Sequence, residues 1–119
     1  MSQGQKPSFS KWKCFICGGE VVEGQRFLWL PGRGYAHIEC FVNSLREKLG
    51  ERLPGDLLAL LEVEEALAYT ITRLKQARWL TGSEELRREI DEERKRVEGL
   101  AARASKKLSE LLEGYGLEF

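Results

Sequence analysis

The residues of this chain best suited to chemistry are its cysteines and its histidine, which are few and closely paired. Cys14 and Cys17 lie three positions apart in KCFICGG, and His37 and Cys40 lie three positions apart in GYAHIECF. Together they are every cysteine and histidine of the 119-residue chain. Thiolate and imidazole are the ligands that Zn²⁺ prefers, and two close pairs supply the four that a tetrahedral ion needs. The spacing therefore predicts one zinc ion per chain, bound by Cys14, Cys17, His37 and Cys40.

The predicted zinc site is structural rather than catalytic. Four protein ligands complete a tetrahedral shell and leave no position open for water or substrate. Gly18 and Gly19 follow the first ligand pair, and glycine permits the close backbone approach that a thiolate-binding turn needs. Redox chemistry at the CxxC pair is the rival interpretation, but no βαβ pattern surrounds it. Because so few residues can form a core around the site, loss of the ion is expected to unfold this segment.

The segments that hold these ligands predict a small α+β zinc-binding module over residues 12–50. Short apolar runs predict a strand over residues 26–30, a PGRG turn over residues 31–34, and a returning strand toward His37. A helix is expected from near His37 to Gly50, because glycine tolerates the left-handed conformation that ends helices. The module is thus a knuckle, a β-hairpin and a helix. A mobile polar tail is predicted before it, over residues 1–11.

Residues 51–119 predict a long antiparallel α-helical hairpin. Leucines recur at helical spacing over about residues 56–80, and a second helix follows over about residues 83–113. Because only a short connection joins them, the helices must run antiparallel. The second helix is the longer one. We expect it to return Leu111, Leu112 and Tyr115 to the open face of the strand at residues 26–30.

The knuckle, hairpin and helix, with their C-x2-C and H-x2-C pairs, resemble a single treble-clef zinc finger, and the spacing and HIECF resemble the first finger of a LIM domain. A LIM domain carries a second four-ligand finger, for which this chain has no cysteine or histidine left. The types of partner that LIM domains bind therefore cannot be assigned to this chain. The whole chain, from KWKCFICGGEVVEGQRF through HIECF to its leucine-rich helical tail, resembles domain of unknown function 2175, a family of small crenarchaeal proteins. That resemblance implies archaeal origin and zinc binding.

Composition and charge limit the partners that the sequence predicts. The chain has 19 basic and 19 acidic residues, so no polyelectrolyte partner is implied by overall charge. The first 50 residues carry a modest positive excess, which makes them the better candidate for contacts with nucleic acid. The N-terminal residues are polar and no apolar run approaches spanning length, so we expect a cytoplasmic protein with no membrane association. High charge with one asparagine is typical of a thermophile.

An enzyme is not expected. The cysteines and the histidine are committed to the metal, and no phosphate-binding loop or nucleophile motif is present. Glu62, Glu64 and Glu65 form the only acidic group of interest. We interpret them as a charged helix face that meets Arg103 or solvent. No small-molecule substrate is predicted.

Two modes of binding remain open. The preferred one is a protein-interaction or assembly module, in which a partner or a second copy contacts the helical hairpin. Its predicted interface residues, at the tip of the hairpin, are Trp79 and Leu80.

The alternative is an RNA-binding, DNA-binding or ribosome-associated protein. Basic groups of the N-terminal half would meet phosphates, and aromatic rings would stack on unpaired bases. The candidate residues are Lys11, Trp12, Lys13, Arg26, Arg33 and Tyr35.

Overall fold

The computed structural model describes residues 10–119 and contains four strands and three helices over that range. The elements are β1 (Lys11–Lys13), β2 (Glu20–Val22), β3 (Phe27–Leu30), β4 (Gly34–His37), α1 (Ile38–Leu49), α2 (Gly55–Leu80) and α3 (Glu84–Gly114). The chain is therefore α+β, with two short hairpins followed by a helical region, which confirms the predicted fold class. The predicted tail lies outside the described residues except at Ser10 and Lys11, and Lys11 is already in β1.

Each pair of strands forms its own antiparallel hairpin. In the first hairpin Lys11 lies opposite Val22, and the knuckle with the predicted metal ligands Cys14 and Cys17 lies between the strands. In the second, Phe27 lies opposite His37, and Gly32 in the connecting turn has a φ of 78°. That positive φ explains why the PGRG turn contains glycine, which adopts it without strain. The second hairpin was predicted, whereas the first was not.

Helix α1 follows β4 without a loop. His37 is its N-cap residue in an extended conformation, so the chain turns from strand to helix at a predicted metal ligand. The apolar positions Ile38, Phe41 and Leu45 are the buried face of α1, at the spacing of one helical stripe. The helix ends at Gly50, whose φ is 92° and whose N–H donates to the Arg46 carbonyl oxygen at 2.8 Å.

Helices α2 and α3 form the antiparallel hairpin. Ser83 begins α3, and its side-chain oxygen accepts a hydrogen bond from the Leu86 N–H at 3.1 Å. Such a cap satisfies one of the free donors at a helix start. Cross-helix contacts confirm the antiparallel arrangement, because Arg78 pairs with Asp91 near the connecting turn. The hairpin makes the molecule elongated, with extents of 52 × 26 × 22 Å.

One core joins the finger to the base of the helical hairpin. Its buried side chains come from β3 and from all three helices. They are Leu28, Leu30, Ile38, Phe41, Leu45, Leu57, Leu61, Leu108 and Leu112. A smaller cluster of Cys14, Val21 and Ala36 lies beside the metal ligands. Because the main core crosses residue 50, the predicted boundary there does not separate two hydrophobic cores.

The two faces of β3 are covered unequally. Leu28 and Leu30 lie in the main core, and Leu112 of α3 packs there as well. On the other face Phe27 contacts the ring of Trp12, while Trp29 remains 39% exposed. The C-terminal turns therefore cover the face that α1 also covers. The opposite face of β3 is left partly open.

Candidate metal centre

The first ligand pair lies in the turn between β1 and β2. The Cys14 N–H donates to the Gly19 carbonyl oxygen at 2.8 Å, and the Gly18 N–H donates to the Cys14 carbonyl oxygen at 2.8 Å. Gly18 has a φ of 77°. A Cβ atom at Gly19 would lie 3.3 Å from the Cys17 Sγ. These two glycines therefore allow a turn tight enough to present both sulfur atoms on one side.

Backbone N–H groups of this turn are directed at the sulfur atoms. Those of Ile16 and Cys17 each donate to the Cys14 Sγ at 3.4 Å, and that of Gly19 donates to the Cys17 Sγ at 3.3 Å. Such bonds favour the thiolate over the thiol. The turn thus prepares Cys14 and Cys17 for the ionised form in which cysteine binds metal.

The second ligand pair spans the junction of β4 and α1. His37 is the last residue of β4, and Cys40 lies in the first turn of α1, where the positive end of the helix dipole stabilises a thiolate. The His37 Nε2 lies 2.8 Å from the Glu20 carbonyl oxygen. Because a carbonyl can only accept, Nε2 carries the proton and donates it. Nδ1 is then left with a free lone pair for a metal ion.

The four ligand atoms converge on one point. All of them lie within 4.8 Å of one another. The His37 Nδ1 is 3.4 Å from the Cys17 Sγ and 3.6 Å from the Cys40 Sγ. In a tetrahedral zinc site with Zn–S bonds of about 2.3 Å and Zn–N bonds of about 2.0 Å, nitrogen and sulfur lie about 3.5 Å apart. The cluster of Cys14, Cys17, His37 and Cys40 is therefore able to bind a metal ion.

The electrostatics of the cluster call for a cation. Burial acts to raise the pKa of the Cys14 thiol, while the N–H groups of Cys17, His37 and Ile16 act to lower it, with a net value of about 6. Burial raises the pKa of the Cys40 thiol to about 11, and the neighbouring Cys17 and Cys14 sulfurs act in the same direction. Three thiolates this close repel one another. A divalent ion at the centre removes that repulsion.

Four of the predicted nucleic-acid contacts lie close together on the finger. Trp12 and Tyr35 stack on each other, with ring centroids 3.7 Å apart and planes 8° apart. Phe27 tilts against both rings. Lys11 and Lys13 flank Trp12 on β1, and both are exposed. One face of each of these two rings is therefore covered by the other ring.

The remaining two of these residues lie elsewhere. The Arg26 guanidinium pairs with the carboxylate of Glu65 on α2, so it connects the finger to the helical hairpin. Arg33 is exposed in the turn between β3 and β4. The structure does not bring either arginine into the group around Trp12.

The predicted protein-interface residues lie at the far end of α2. Leu80 is its last residue and is 68% exposed. Trp79 is half-buried, and its indole Nε1 is buried with no hydrogen-bond partner among residues 10–119. Of these two residues, therefore, only Leu80 is mostly exposed to solvent.

Glu64 lies in an environment that the sequence did not predict. Its side chain is not on a charged face: the residue is 6% exposed and accepts a hydrogen bond from the Ser105 Oγ at 2.8 Å. The sequence did contain a sign of this burial. Glu64 lies at helical spacing from Leu57 and Leu61, on the face of α2 that enters the core. An acidic residue at an apolar phase is unusual enough to mark a buried polar site.

The comparisons with known proteins identify the family of the chain. No helix within residues 10–119 is long and apolar enough to cross a membrane. No curated protein and no solved structure matches the chain. One family model does match, that of the "Uncharacterized protein conserved in archaea (DUF2175)", over residues 10–110. The match spans both ligand pairs and most of the helical hairpin, and it confirms the resemblance found in the sequence. The chain therefore belongs to this archaeal family.

Proposed function

We propose that this protein is a non-enzymatic, structural zinc protein of the cytoplasm that acts as a protein-interaction or assembly module. Its finger is a single treble clef of LIM type, and its helical hairpin presents the contact surface. The observation that carries this proposal is the distal half of the hairpin, where no residue from 65 to 96 is buried. Two helices that bury so few side chains between them gain stability when another surface packs against them.

The ligand set supports zinc as the bound ion. Three thiolates and one imidazole are soft-to-borderline ligands, which suit Zn²⁺ and disfavour Mg²⁺ and Ca²⁺. All four positions of a tetrahedral shell come from the protein. The ring of His37 is also held from behind by the Glu20 carbonyl, as is usual for metal-bound histidine. A closed shell of this kind supports a structural role and no catalysis at the metal.

Exposed apolar side chains on the distal half of the hairpin support the interaction role. Leu80, Leu86 and Tyr69 are 68%, 44% and 64% exposed. The half-buried side chains between the two helices include Leu74 and Ile90. Pairing with a second copy of the chain would turn this thin layer into a four-helix arrangement, in which such side chains are buried.

A matched pair of variants tests the interface. Leu86 and Leu58 have similar exposures, 44% and 43%, but Leu58 lies near the base of the hairpin. We expect the zinc-loaded protein to run as a dimer or larger in light scattering after gel filtration. Leu86→Lys should reduce its mass to that of the monomer, while Leu58→Lys should leave it unchanged. A wild-type protein that stays monomeric at high concentration contradicts self-association through this surface.

Nucleic-acid binding is the second candidate and has less support. Lys11 and Lys13 are exposed side by side, as phosphate contacts require. However, Trp12 and Tyr35 stack on each other, which leaves fewer ring faces for bases. Retention on RNA that falls steeply with salt, and falls again in the Lys11→Ala, Lys13→Ala double variant, would favour this candidate over the first.

A further inference from the structure

A cleft lies between the open face of β3 and the helical hairpin. Its volume is about 330 Å³, at the lower end of the range for small-ligand sites. Four aromatic side chains of the finger line one side, namely Trp12, Phe27, Trp29 and Tyr35. The opposite side is formed by α2 and α3, with small residues such as Ala68 that keep it open. None of these residues is a predicted metal ligand, so the cleft is separate from the metal centre.

The charged groups of the cleft are mostly acidic. Glu23, Glu64 and Glu98 line it together with one basic residue, Lys75. The Lys75 Nζ lies 2.8 Å from the Glu23 Oε1, so these two charges compensate each other. Glu98 is exposed to solvent. Glu64 is therefore the buried carboxyl group of the cleft that lacks a basic partner.

The carboxyl group of Glu64 is only half satisfied by the protein. Its Oε1 accepts a hydrogen bond from the Ser105 Oγ at 2.8 Å. Its Oε2 is buried and has no hydrogen-bond partner within residues 10–119. Burial raises the pKa of Glu64 to about 7, while the hydrogen bond from Ser105 and the nearby backbone N–H of Trp29, which makes no hydrogen bond of normal geometry to Oε2, act to lower it. An unpartnered buried carboxyl oxygen is costly, and a bound donor would satisfy it.

We propose that this cleft binds an alkylammonium ion, with Glu64 as its counter-ion and the aromatic side chains around its apolar stem. An ammonium group supplies both the positive charge and the hydrogen-bond donors that the Glu64 carboxylate lacks. Aromatic rings attract cations through their faces and pack against methylene groups. The site does not use the metal, and Leu80 and Leu86 do not line it, so its test is independent of the self-association proposed above.

Ionisation of Glu64 makes the binding depend on pH. The other titratable groups that line the cleft are Glu23, Lys75, Glu98 and Tyr35. Burial and the nearby Glu23 raise the pKa of Tyr35, so Tyr35 stays neutral near pH 7. An ammonium ion binds the charged form of Glu64, whose fraction falls about tenfold between pH 8 and pH 6 for a pKa near 7. We therefore expect the affinity to fall by about tenfold over the same interval.

Indole N–H signals in NMR spectra of the zinc-loaded full chain provide the readout. Trp12 and Trp29 line the cleft, whereas Trp79 lies at the far end of α2 and serves as an internal reference. Titration with n-pentylammonium should shift the signals of Trp12 and Trp29 and leave that of Trp79 in place. The neutral isostere 1-pentanol should bind at least about tenfold more weakly, since it cannot pair with a carboxylate.

Two variants complete the test. Glu64→Gln keeps the shape of the side chain and its bond to Ser105 but removes the charge, and it should weaken n-pentylammonium binding at pH 8 at least about tenfold. Glu110→Gln, at an exposed position of α3, should have no effect. If Glu64→Gln does not fold, the affinity of the wild-type protein for n-pentylammonium, measured between pH 6 and pH 8, tests the role of Glu64 instead. Equal binding of pentanol, undiminished binding by Glu64→Gln, a flat pH profile, or no shift of Trp12 and Trp29 would each overturn the proposal.

The same spectra distinguish two sources of the ligand. Nα-acetyl-lysine methylamide carries the ammonium group on a peptide unit, as a partner protein would present it. Shifts with both probes point to a lysine side chain, and shifts with n-pentylammonium alone point to a free amine. Both results support an alkylammonium site, whereas an absence of shifts with either probe contradicts it.

Discussion

At the scale of single residues, the metal centre is organised by groups that are not themselves ligands. The Glu20 carbonyl fixes the tautomer of His37, and N–H groups of the knuckle donate to Cys14 and Cys17. These contacts favour the ionised thiolates of Cys14 and Cys17 and the His37 tautomer with a free Nδ1 lone pair, which are the forms that bind a cation. The site is therefore prepared for a metal by the backbone conformation as well as by its four side chains.

Removal of one ligand tests this description. Cys40→Ala deletes a thiolate and opens the tetrahedral shell, so zinc affinity should fall by more than the 10–100-fold that is typical when only a supporting contact is lost. The measurement is competition with a coloured chelator at neutral pH. Asn43→Ala is the control, because Asn43 is exposed on the same helix. Equal zinc affinity of the two variants would show that Cys40 is not a ligand.

The clustering of the two Cys/His pairs was predictable from the sequence, whereas the burial of Glu64 was not predicted. Four residues of two rare types in two close pairs leave little choice of partner, so Cys14, Cys17, His37 and Cys40 could be identified from spacing alone. The burial of Glu64 depends on how deeply α2 packs against β3 and α3. Helical periodicity shows which face of a helix a residue occupies, but tertiary packing decides whether that position is buried.

At the scale of elements, the base of the helical hairpin is held to the finger by leucines that meet β3 and α1. Leu108 of α3 has no exposed surface and packs in the same core as Leu28 and Phe41. Apolar burial of this kind is the main source of stability for contacts between elements. The finger and the hairpin are therefore expected to unfold together.

Truncation of Leu108 measures that contact. Leu108→Ala leaves a cavity in the core and should lower the free energy of unfolding by about 2–5 kcal/mol. Leu58→Ala removes the same atoms from a side chain that is 43% exposed and lies outside the proposed interface, and should lower the free energy of unfolding by about 1 kcal/mol or less. Urea denaturation of the zinc-loaded proteins gives both values. Similar small losses in both variants would mean that α3 does not pack into the core as described.

The helices were easier to predict than the first strands. Leucines at helical spacing and a short connection predicted helices over about residues 56–80 and 83–113, compared with Gly55–Leu80 and Glu84–Gly114 in the structure. Strands β1 and β2 have only three residues each, too few for an alternating pattern to be recognised. They pair because the knuckle brings their ends together. The pairing follows from the geometry of this turn, which the alternation of apolar and polar residues does not encode.

At the scale of the whole molecule, a compact end that contains the candidate metal site is joined to an extended helical end. The cluster beside the metal contains only Cys14, Val21 and Ala36 as buried members, which is a very small core for two hairpins. Small modules with so little buried surface depend on their metal for folding. The metal ion is therefore expected to determine whether the finger folds, and thereby whether the base of the hairpin keeps its packing against β3.

The most direct test of this account is native mass spectrometry of the purified protein before and after release of metal by acid. Acid protonates the thiolates and the imidazole, so a lower pH releases a metal that these groups hold. We predict a mass increase of one zinc ion per chain at neutral pH, lost on acidification together with the charge states of the folded protein. A protein that is compact and free of metal at neutral pH would contradict the central claim that Cys14, Cys17, His37 and Cys40 form a structural zinc site.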